Sequence, residues 1–260
     1  MDTLELGSVH PTAVISTNAT LGTGVTVGPF AVIHEGVQVG DRCVVGSHCV
    51  LGEPTGDFYS GSPSQTATTT VIGADAVIRS HSVLYQGVIA GPGFRTGHRV
   101  TIREGSRIGD DVQVGTMSDL QGNLEIGNHT RLHSNVFVAQ LSVIEDFVWL
   151  FPHVVLTNDP HPPSDTCTRG PQIRRFAAIG AGAMILPGIE IGEHALVGAM
   201  SLVTRDVEPE TVVVGVPAKA TGSVRDVACR HGALEAVYPW PQQFRRGYPE
   251  GALPDVDEFR

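Results

Sequence analysis

The chain has 260 residues, including 31 glycines and 17 prolines, with 6% aromatic and 17% charged residues. This composition excludes a coiled coil or helical bundle, which need charged and glycine-poor helices, and the 41% hydrophobic content excludes a disordered chain. The net charge of −10 argues against nucleic-acid and anionic-membrane partners, and no apolar run is long enough to span a membrane.

The cysteines and the first residues of the chain indicate a compartment. The four cysteines form no CxxC pair, and the sequence opens with acidic residues where a secretory signal would carry basic ones. We therefore expect a reducing, cytoplasmic location.

A six-residue repeat of aliphatic residues organises most of the chain. Its first run extends from Val9 to Leu51, the second from Ile72 to Leu156, and the third from Ile179 to Val203. Neither the helical period of 3.6 nor the strand period of 2 explains this spacing. The repeat predicts short strands joined by corners, with three sides closing one 18-residue triangular coil. The number of repeats corresponds to about nine coils. Because each coil consists of short strands and stacks on the next, we predict an all-β parallel β-helix.

Two breaks in the repeat predict insertions. Residues 53–70 are rich in Ser, Thr, Gly and Pro and are typical of a solvated loop. Residues 158–177 contain four prolines and end near two consecutive arginines, which is compatible with a stiff arm that docks or with a purely structural loop.

The repeat ends near residue 217, and the chain then changes character. We predict a β-helix domain over residues 1–221 and a C-terminal region over residues 222–260. In that region Val224 to Val237 is expected to form one amphipathic helix capped by Ser223, followed by an extended tail on the outside of the prism.

Polar residues 18 apart in sequence should stack about 4.8 Å apart on one face of the coil. By this arithmetic Asn135 lies beside His153, Gln140 lies beside Asn158, and His133 lies at the same level. These side chains precede the proline-rich arm, so we interpret them as a candidate site.

Small residues form a second pattern in the third run. Gly180, Ala181 and Gly182 should lie next to Gly198 and Ala199, so that a column of minimal side chains follows the coil axis. Such a column lets a long flexible ligand approach the backbone, although glycine and alanine also suit corners for structural reasons.

Four segments carry a family resemblance: LHSNVFV at 132–138, FPHVVLTNDP at 151–160, IGAGA at 179–183 and GVPAK at 215–219. With the repeat, they resemble the hexapeptide-repeat acyltransferases over roughly residues 9–217. The resemblance implies a left-handed parallel β-helix and a homotrimer. The segments are most similar to the branch that N-acetylates amino sugars carried on nucleotide diphosphates.

The resemblance also implies roles for individual residues. The acceptor would be a nucleotide sugar, and the donor would be acetyl-CoA or another acyl-CoA, with no metal required. His133, and after it His153, would accept the proton of the amine. The residues that would orient or bind the acceptor are Asn135, Gln140, Asn158, Asp159 and His161. The residues that would hold coenzyme A are Arg174, Arg175, Gly180, Ala181, Gly182, Ala199 and Lys219.

Three alternatives stay open. The segments at residues 10–13 and 28–33 are more similar to lipid A precursor acyltransferases, which transfer acyl groups to oxygen or nitrogen. A zinc hydro-lyase like the carbonic anhydrases that share this fold would need three histidines, for which His129, His133 and His153 are available at an unsuitable spacing. A non-catalytic assembly module is the third alternative.

Overall fold

Three sheets form the sides of a triangular prism, and the chain passes from the first to the second to the third in every coil. The computed structural model describes residues 5–61, 69–164, 166–234, 237–242 and 247–254. The strands of the first sheet are Val14–Ile15, Val32–Ile33, Val50–Glu53, Val83–Tyr85, Thr101–Ile102, Asp119–Leu120, Phe137–Val138, Val155–Leu156, Met184–Ile185 and Leu202–Val203. Those of the second are Thr20–Leu21, Val37–Val39, Thr70–Ile72, Ile89–Ala90, Arg107–Ile108, Glu125–Ile126, Val143–Ile144, Gln172–Ile173 and Glu190–Ile191. Those of the third are Thr26–Val27, Val44–Val45, Val77–Ile78, Arg95–Thr96, Gln113–Val114, Arg131–Leu132, Trp149–Leu150, Ala178–Ile179, Leu196–Val197, Thr211–Val214 and Lys219–Ser223.

The strand register confirms the predicted parallel β-helix. Residues 18 apart pair in parallel, as Val14 does with Val32. The expected number of coils was too low. The third sheet has ten parallel strands, and a bridge from Val9 to Val27 begins one more level. The shortfall arises because Ile173 and Val213 also occupy inner positions outside the three runs that the sequence shows.

The repeat residue of each strand faces the interior and forms one continuous core. Leu51, Leu84 and Ile173 are fully buried, and burial of each such side chain contributes roughly 1.5–3 kcal/mol. Thr96, which is 3% exposed, is the one polar residue at the repeat position of the described strands. The repeat positions are therefore apolar except in one coil, whereas corner residues such as Ser82 and Thr130 are buried polar residues.

Corners are named here by the sheets that they join: corner 1–2, corner 2–3 and corner 3–1. The third corner residue commonly has a left-handed backbone, as in Leu141 (φ 65°), Phe147 (φ 59°) and Asn135 (φ 59°). These three residues represent corners 1–2, 2–3 and 3–1 in turn. Residues at equivalent positions of successive coils stack along each corner.

Both insertions leave the prism at corner 1–2. Val37 pairs with Thr70, and Val143 pairs with Gln172, where the regular spacing is 18 residues. The first excursion contains a four-residue helix at Gly56–Tyr59, and its residues 62–68 lie outside the described chain. The second is shorter than predicted, since Gln172–Ile173 is a strand of the second sheet and the following residues form a regular corner.

The C-terminal region differs from the prediction. Lys219–Ser223 pairs antiparallel with Thr211–Val214, so the predicted boundary at residue 221 falls inside a strand. The helix expected from Val224 to Val237 is wrong: only a 3-10 turn at Val224–Asp226 forms, and 227–234 are irregular. Val224, one of the apolar residues on which the helix prediction rested, is buried against the prism without forming that helix.

The described part of the tail follows the outside of the prism, as predicted, with a 3-10 turn at Trp240–Gln242. Trp240 and Leu253 pack against Phe147 and Phe176 of corner 2–3. Residues 235–236, 243–246 and 255–260 of the C-terminal region lie outside the described chain.

The outward face of the first sheet is unusually apolar. Val14 is 63% exposed and Met184 is 39% exposed on it. Its other apolar residues are half-buried: Val32, Val50, Val83, Phe137, Val155 and Leu202. Asp119 also lies on this face, and burial raises the pKa of its carboxyl. Within the described residues, no helix combines the length and apolar character needed to cross a membrane.

Candidate active site

His133 lies at the first position of corner 3–1, directly after the strand Arg131–Leu132. Its ring stacks on Phe151 at a centroid distance of 4.9 Å and lies 5.6 Å from the Trp149 ring. Burial against these rings lowers the pKa of His133 below its ordinary value of 6.5. The imidazole is therefore neutral near pH 7 and able to accept a proton.

Asn135 and His153 occupy the same position of corner 3–1 in successive coils, as the 18-residue arithmetic predicts. Both have left-handed backbones, with φ of 59° and 64°, and the His153 amide donates to the Ser134 carbonyl at 3.1 Å. His153 is exposed. The structure thus places His133, Asn135 and His153 on one corner.

The small-residue column continues along this corner. The Met200 amide donates to the Ala181 carbonyl at 2.8 Å, so the two coils are adjacent. A Cβ added at Gly180 would lie 2.5 Å from the Ala199 amide nitrogen, so contact between coils already requires that glycine. Ala181 and Ala199 are exposed and form an open surface. Met200, 73% exposed, covers Gly182 on one side.

Lys219 does not continue the column. The chain reverses after Val214, and Val214 pairs with Lys219 in the antiparallel hairpin. Lys219 is exposed on that hairpin, at the edge of the third sheet. The arithmetic fails here because Val212 pairs with Leu196, 16 residues earlier rather than 18.

Apart from Asn135, the predicted acceptor residues lie on a different corner of the same chain. Gln140, Asn158, Asp159 and His161 belong to corner 1–2 and its arm, across the first sheet from His133. The Asp159 carboxylate accepts from the amides of His161 at 2.9 Å and Ser164 at 3.0 Å. Asp159 therefore fixes the conformation of the arm.

Arg174 and Arg175, which were predicted to bind coenzyme A phosphates, lie on corner 2–3 and not beside the column of the same chain. Arg174 pairs with Glu145 and Glu190, each at 2.8 Å. The Arg175 guanidinium lies 4.7 Å from the centroid of the Phe176 ring. Contacts with the corner and the adjacent second sheet thus engage both arginines.

The three histidines considered for zinc lie on two corners. His129 is on corner 2–3, where it contacts Asp111 at 3.2 Å and stacks on Phe147 at 4.9 Å. Across the described chain, no three side chains of His, Cys, Asp or Glu are grouped to hold a metal ion.

A groove that the sequence interpretation missed runs along the third sheet beside His133. Its volume is about 580 Å³. Trp149 of the third sheet lies at one end, together with Gly247 of the tail. The other lining residues are Val77, Arg79, Arg95, Thr96, Gly97, His98, Gln113, Val114, Gly115, Thr116, Arg131, Leu132, His133 and Ser134. None of the lining residues is acidic.

A signal for this groove was present in the sequence. The first position of corner 3–1 is glycine after six of the nine two-residue strands of the third sheet. Arg79, His133 and Phe151 are the departures. Two of them line the groove, and the third stacks on His133.

Comparisons with known proteins agree with the repeat and the fold. Residues 18–53 match the family model described as bacterial transferase hexapeptide (six repeats). The serine acetyltransferase of Salmonella typhimurium is 36% identical over 115 residues, which cover 44% of this chain and 41% of that protein. The galactoside O-acetyltransferase of Lactococcus lactis is 31% identical over 158 residues, covering 58% of this chain and 64% of that one. The chain thus spans less than two thirds of the relatives that it matches.

A solved structure extends the likeness in fold. The Arabidopsis UDP-N-acetylglucosamine acyltransferase superposes with a TM-score of 0.68 and 18% identity, covering 83% of this chain and 74% of that one. The chain therefore has the hexapeptide repeat and the left-handed β-helix of these acyltransferases.

Proposed function

We propose that the protein is an acetyl-CoA-dependent acyltransferase that acetylates the amine of a nucleotide-linked amino sugar. The supporting observation is that a half-buried neutral histidine, His133, and the open surface at Ala181 and Ala199 share corner 3–1. A thin thioester-bearing arm lying on that surface would bring its reactive end toward the imidazole. A cytoplasmic location is part of the proposal, since the reaction needs a supply of the thioester.

The chemistry follows from the neutral imidazole. The acceptor amine attacks the thioester carbonyl, a C–N bond forms, and the C–S bond then breaks. His133 removes a proton from the attacking nitrogen and passes it to the departing thiolate, so free coenzyme A leaves as the thiol. Phe151 and Trp149 hold the ring in place by stacking, which favours alignment with the acceptor.

The acceptor side of the site is proposed to be completed by a second subunit of a homotrimer. The apolar first sheet separates His133 from Asn158 in one chain, and such a face favours burial against another copy. Packing of first sheets would bring corner 3–1 of one subunit near corner 1–2 of its neighbour. Asn135 and His153 would then orient the acceptor together with Gln140 of the neighbour's corner 1–2 and Asn158 and His161 of its arm.

Transfer to a hydroxyl group is a second candidate. The aligned relatives are named serine acetyltransferase and galactoside O-acetyltransferase. A neutral imidazole suits this reaction also, because a hydroxyl must lose its proton during attack.

Thiol release tests both acceptor classes. The protein is incubated with acetyl-CoA and, in separate reactions, a nucleotide-linked amino sugar, free serine and a galactoside. We expect release that depends on the amino sugar and falls in His133→Ala, whereas release with only the hydroxyl acceptors favours the second candidate. Absence of acetyl-CoA binding would overturn both. In light scattering, a mass near the monomer value of 27.5 kDa would overturn the trimer.

A further inference from the structure

We propose that the third-sheet groove binds a phosphoryl group of the acceptor through Arg79 and Arg95, on the opposite side of His133 from the small-residue column. This inference rests on the proposed function for the identity of the ligand as acceptor. The binding site itself is argued from the groove.

The charges of the groove are unlike those of the whole protein. The chain carries a net charge of −10, yet arginines and histidines line the groove and carboxylates do not. Arg131 is already neutralised, since it bonds Asp111 at 2.6 Å and the Gly247 carbonyl at 2.9 Å. Arg79 and Arg95 are exposed, and their guanidinium groups have no hydrogen-bond partner among the described residues. Two uncommitted arginines are suited to a multiply charged anion.

Nearby charges leave these two arginines available. The charge of Arg95 helps to lower the pKa of Asp75. Arg42, however, already donates a hydrogen bond to each oxygen of that carboxylate, both at 2.7 Å. His98 lines the groove next to them, and its Nδ1 lies 2.8 Å from the Ser80 hydroxyl.

The backbone departs from the repeat at Arg79. In neighbouring coils the first corner amide bonds to a backbone carbonyl, as Gly46 does to Ile78 at 2.7 Å. The Arg79 amide donates instead to the hydroxyl of Thr96 at 2.9 Å. Thr96 is the polar residue that takes the place of the aliphatic repeat residue in its strand. Thr96 therefore supplies a buried hydroxyl where an aliphatic residue is the rule, and this hydroxyl accepts from the amide of Arg79, the corner residue that replaces glycine in the preceding coil.

The position of the arginines relative to His133 defines the ligand. Arg79 and His133 occupy the same corner position three coils apart, which is roughly 14 Å along the prism axis. Arg95 lies on the sheet between them. An acceptor with its phosphoryl group near Arg95 can therefore present a nucleophile at His133, while the donor occupies the coils beyond Phe151.

Calorimetric titration with inorganic pyrophosphate tests the site directly, with and without saturating acetyl-CoA to occupy the donor surface. We expect the wild type to bind and the Arg79→Gln/Arg95→Gln double variant to bind at least about tenfold more weakly. Arg107→Gln is the matched control, because Arg107 is also exposed but lies on the second sheet, outside the groove. Arg79→Gly, which restores the residue of the repeat, is a second variant whose fold should be unaffected.

Further ligands separate the outcomes. Uridine diphosphate binding more tightly than pyrophosphate, with the same arginine dependence, would identify a nucleoside diphosphate, and equal affinity would identify a free phosphoryl anion. Malonate binding as tightly as pyrophosphate would overturn the assignment to phosphoryl groups. Wild-type affinity in the folded double variant would overturn the site.

The two proposals can fail separately. Acetyl-CoA affinity should be unchanged in the double variant while KM for the acceptor rises. Arginine-dependent pyrophosphate binding without any acetyl-CoA binding would leave the anion site standing and refute the acyltransferase. Acetyl transfer with an unchanged acceptor KM in the double variant would refute the anion site and leave the acyltransferase proposal standing.

Discussion

Trp240→Ala should detach the C-terminal tail while leaving the prism folded. Trp240 is 6% exposed, its Nε1 donates to the Phe176 carbonyl at 2.9 Å, and its ring stacks on Tyr248 at 5.8 Å. Tyr248 in turn accepts a hydrogen bond from Trp149 Nε1 at 2.6 Å. These contacts attach the described tail to corner 2–3 and the third sheet.

The magnitude follows from the burial of Trp240. Truncating a buried tryptophan to alanine costs about 3–5 kcal/mol, including the lost hydrogen bond. Because residues 227–234 between the prism and the tail are irregular, this loss acts on docking of the tail rather than on the coils. The ratio of detached to docked tail should therefore rise by roughly 10²- to 10⁴-fold.

Tryptophan fluorescence measures this change directly. The chain has two tryptophans, so Trp149 is the one that remains in Trp240→Ala. We expect its emission to shift to the red and proteolysis to cleave first after residue 226, with a thermal midpoint close to that of the wild type. Phe30→Ala is the control, because Phe30 is 56% exposed and stacks on His48 at corner 3–1, away from the tail. Emission unchanged by Trp240→Ala would refute the reasoning.

Three further predictions concern the site and the first sheet. His133→Ala should lower turnover by roughly 10²-fold or more and remove an inflection in kcat/KM that lies below the ordinary histidine pKa, since the neutral form is the base. Ala199→Phe should block acetyl-CoA binding, measured by calorimetry, because the new ring would fill the open surface beside Ala181. Asp119→Asn should stabilise the protein increasingly as pH rises above 3.8, measured by urea denaturation. The sign follows because a carboxyl with a raised pKa in the folded state loses its proton first in the unfolded chain.

Each of these predictions has an opposing result. Near-wild-type turnover in both His133→Ala and His153→Ala would mean that no histidine is the base. Wild-type acetyl-CoA affinity in a folded Ala199→Phe variant would mean that acetyl-CoA binds elsewhere on the protein. A pH-independent difference between Asp119→Asn and wild type would show that the carboxyl is already solvated, and Asp57→Asn, on the exposed helix of the first excursion, serves as the control.

The coil and the stacking of Asn135 on His153 could be predicted because they are periodic properties. An interior with three sides requires an aliphatic residue at every sixth position, and the same period fixes which corner residues are neighbours. The prediction therefore holds wherever the offset between coils stays at 18 residues, as between Phe137 and Val155.

The remaining features depend on contacts that no local pattern encodes. Arg174 pairs with Glu145, 29 residues earlier, because the arm changes the offset between those coils. Trp240 reaches Phe176, 64 residues earlier, through a tail without any repeat. After Val214 the chain reverses into the antiparallel strand Lys219–Ser223 instead of forming a further coil, and no repeat encodes this reversal. These positions are set by tertiary packing, which outweighs the sequence pattern.

Both excursions leave from corner 1–2, and this has a consequence for how the protein can vary. The coils on either side resume with inner residues in phase, as Leu51 and Leu84 show by pairing across the first insertion. Length added at this corner therefore leaves the other two corners and their surfaces intact, and the entropy of closing a longer loop grows only slowly. Corner 1–2 is the place where new segments can be grafted into the chain, for instance at Gly105 or Asn123, without changing the register of the scaffold.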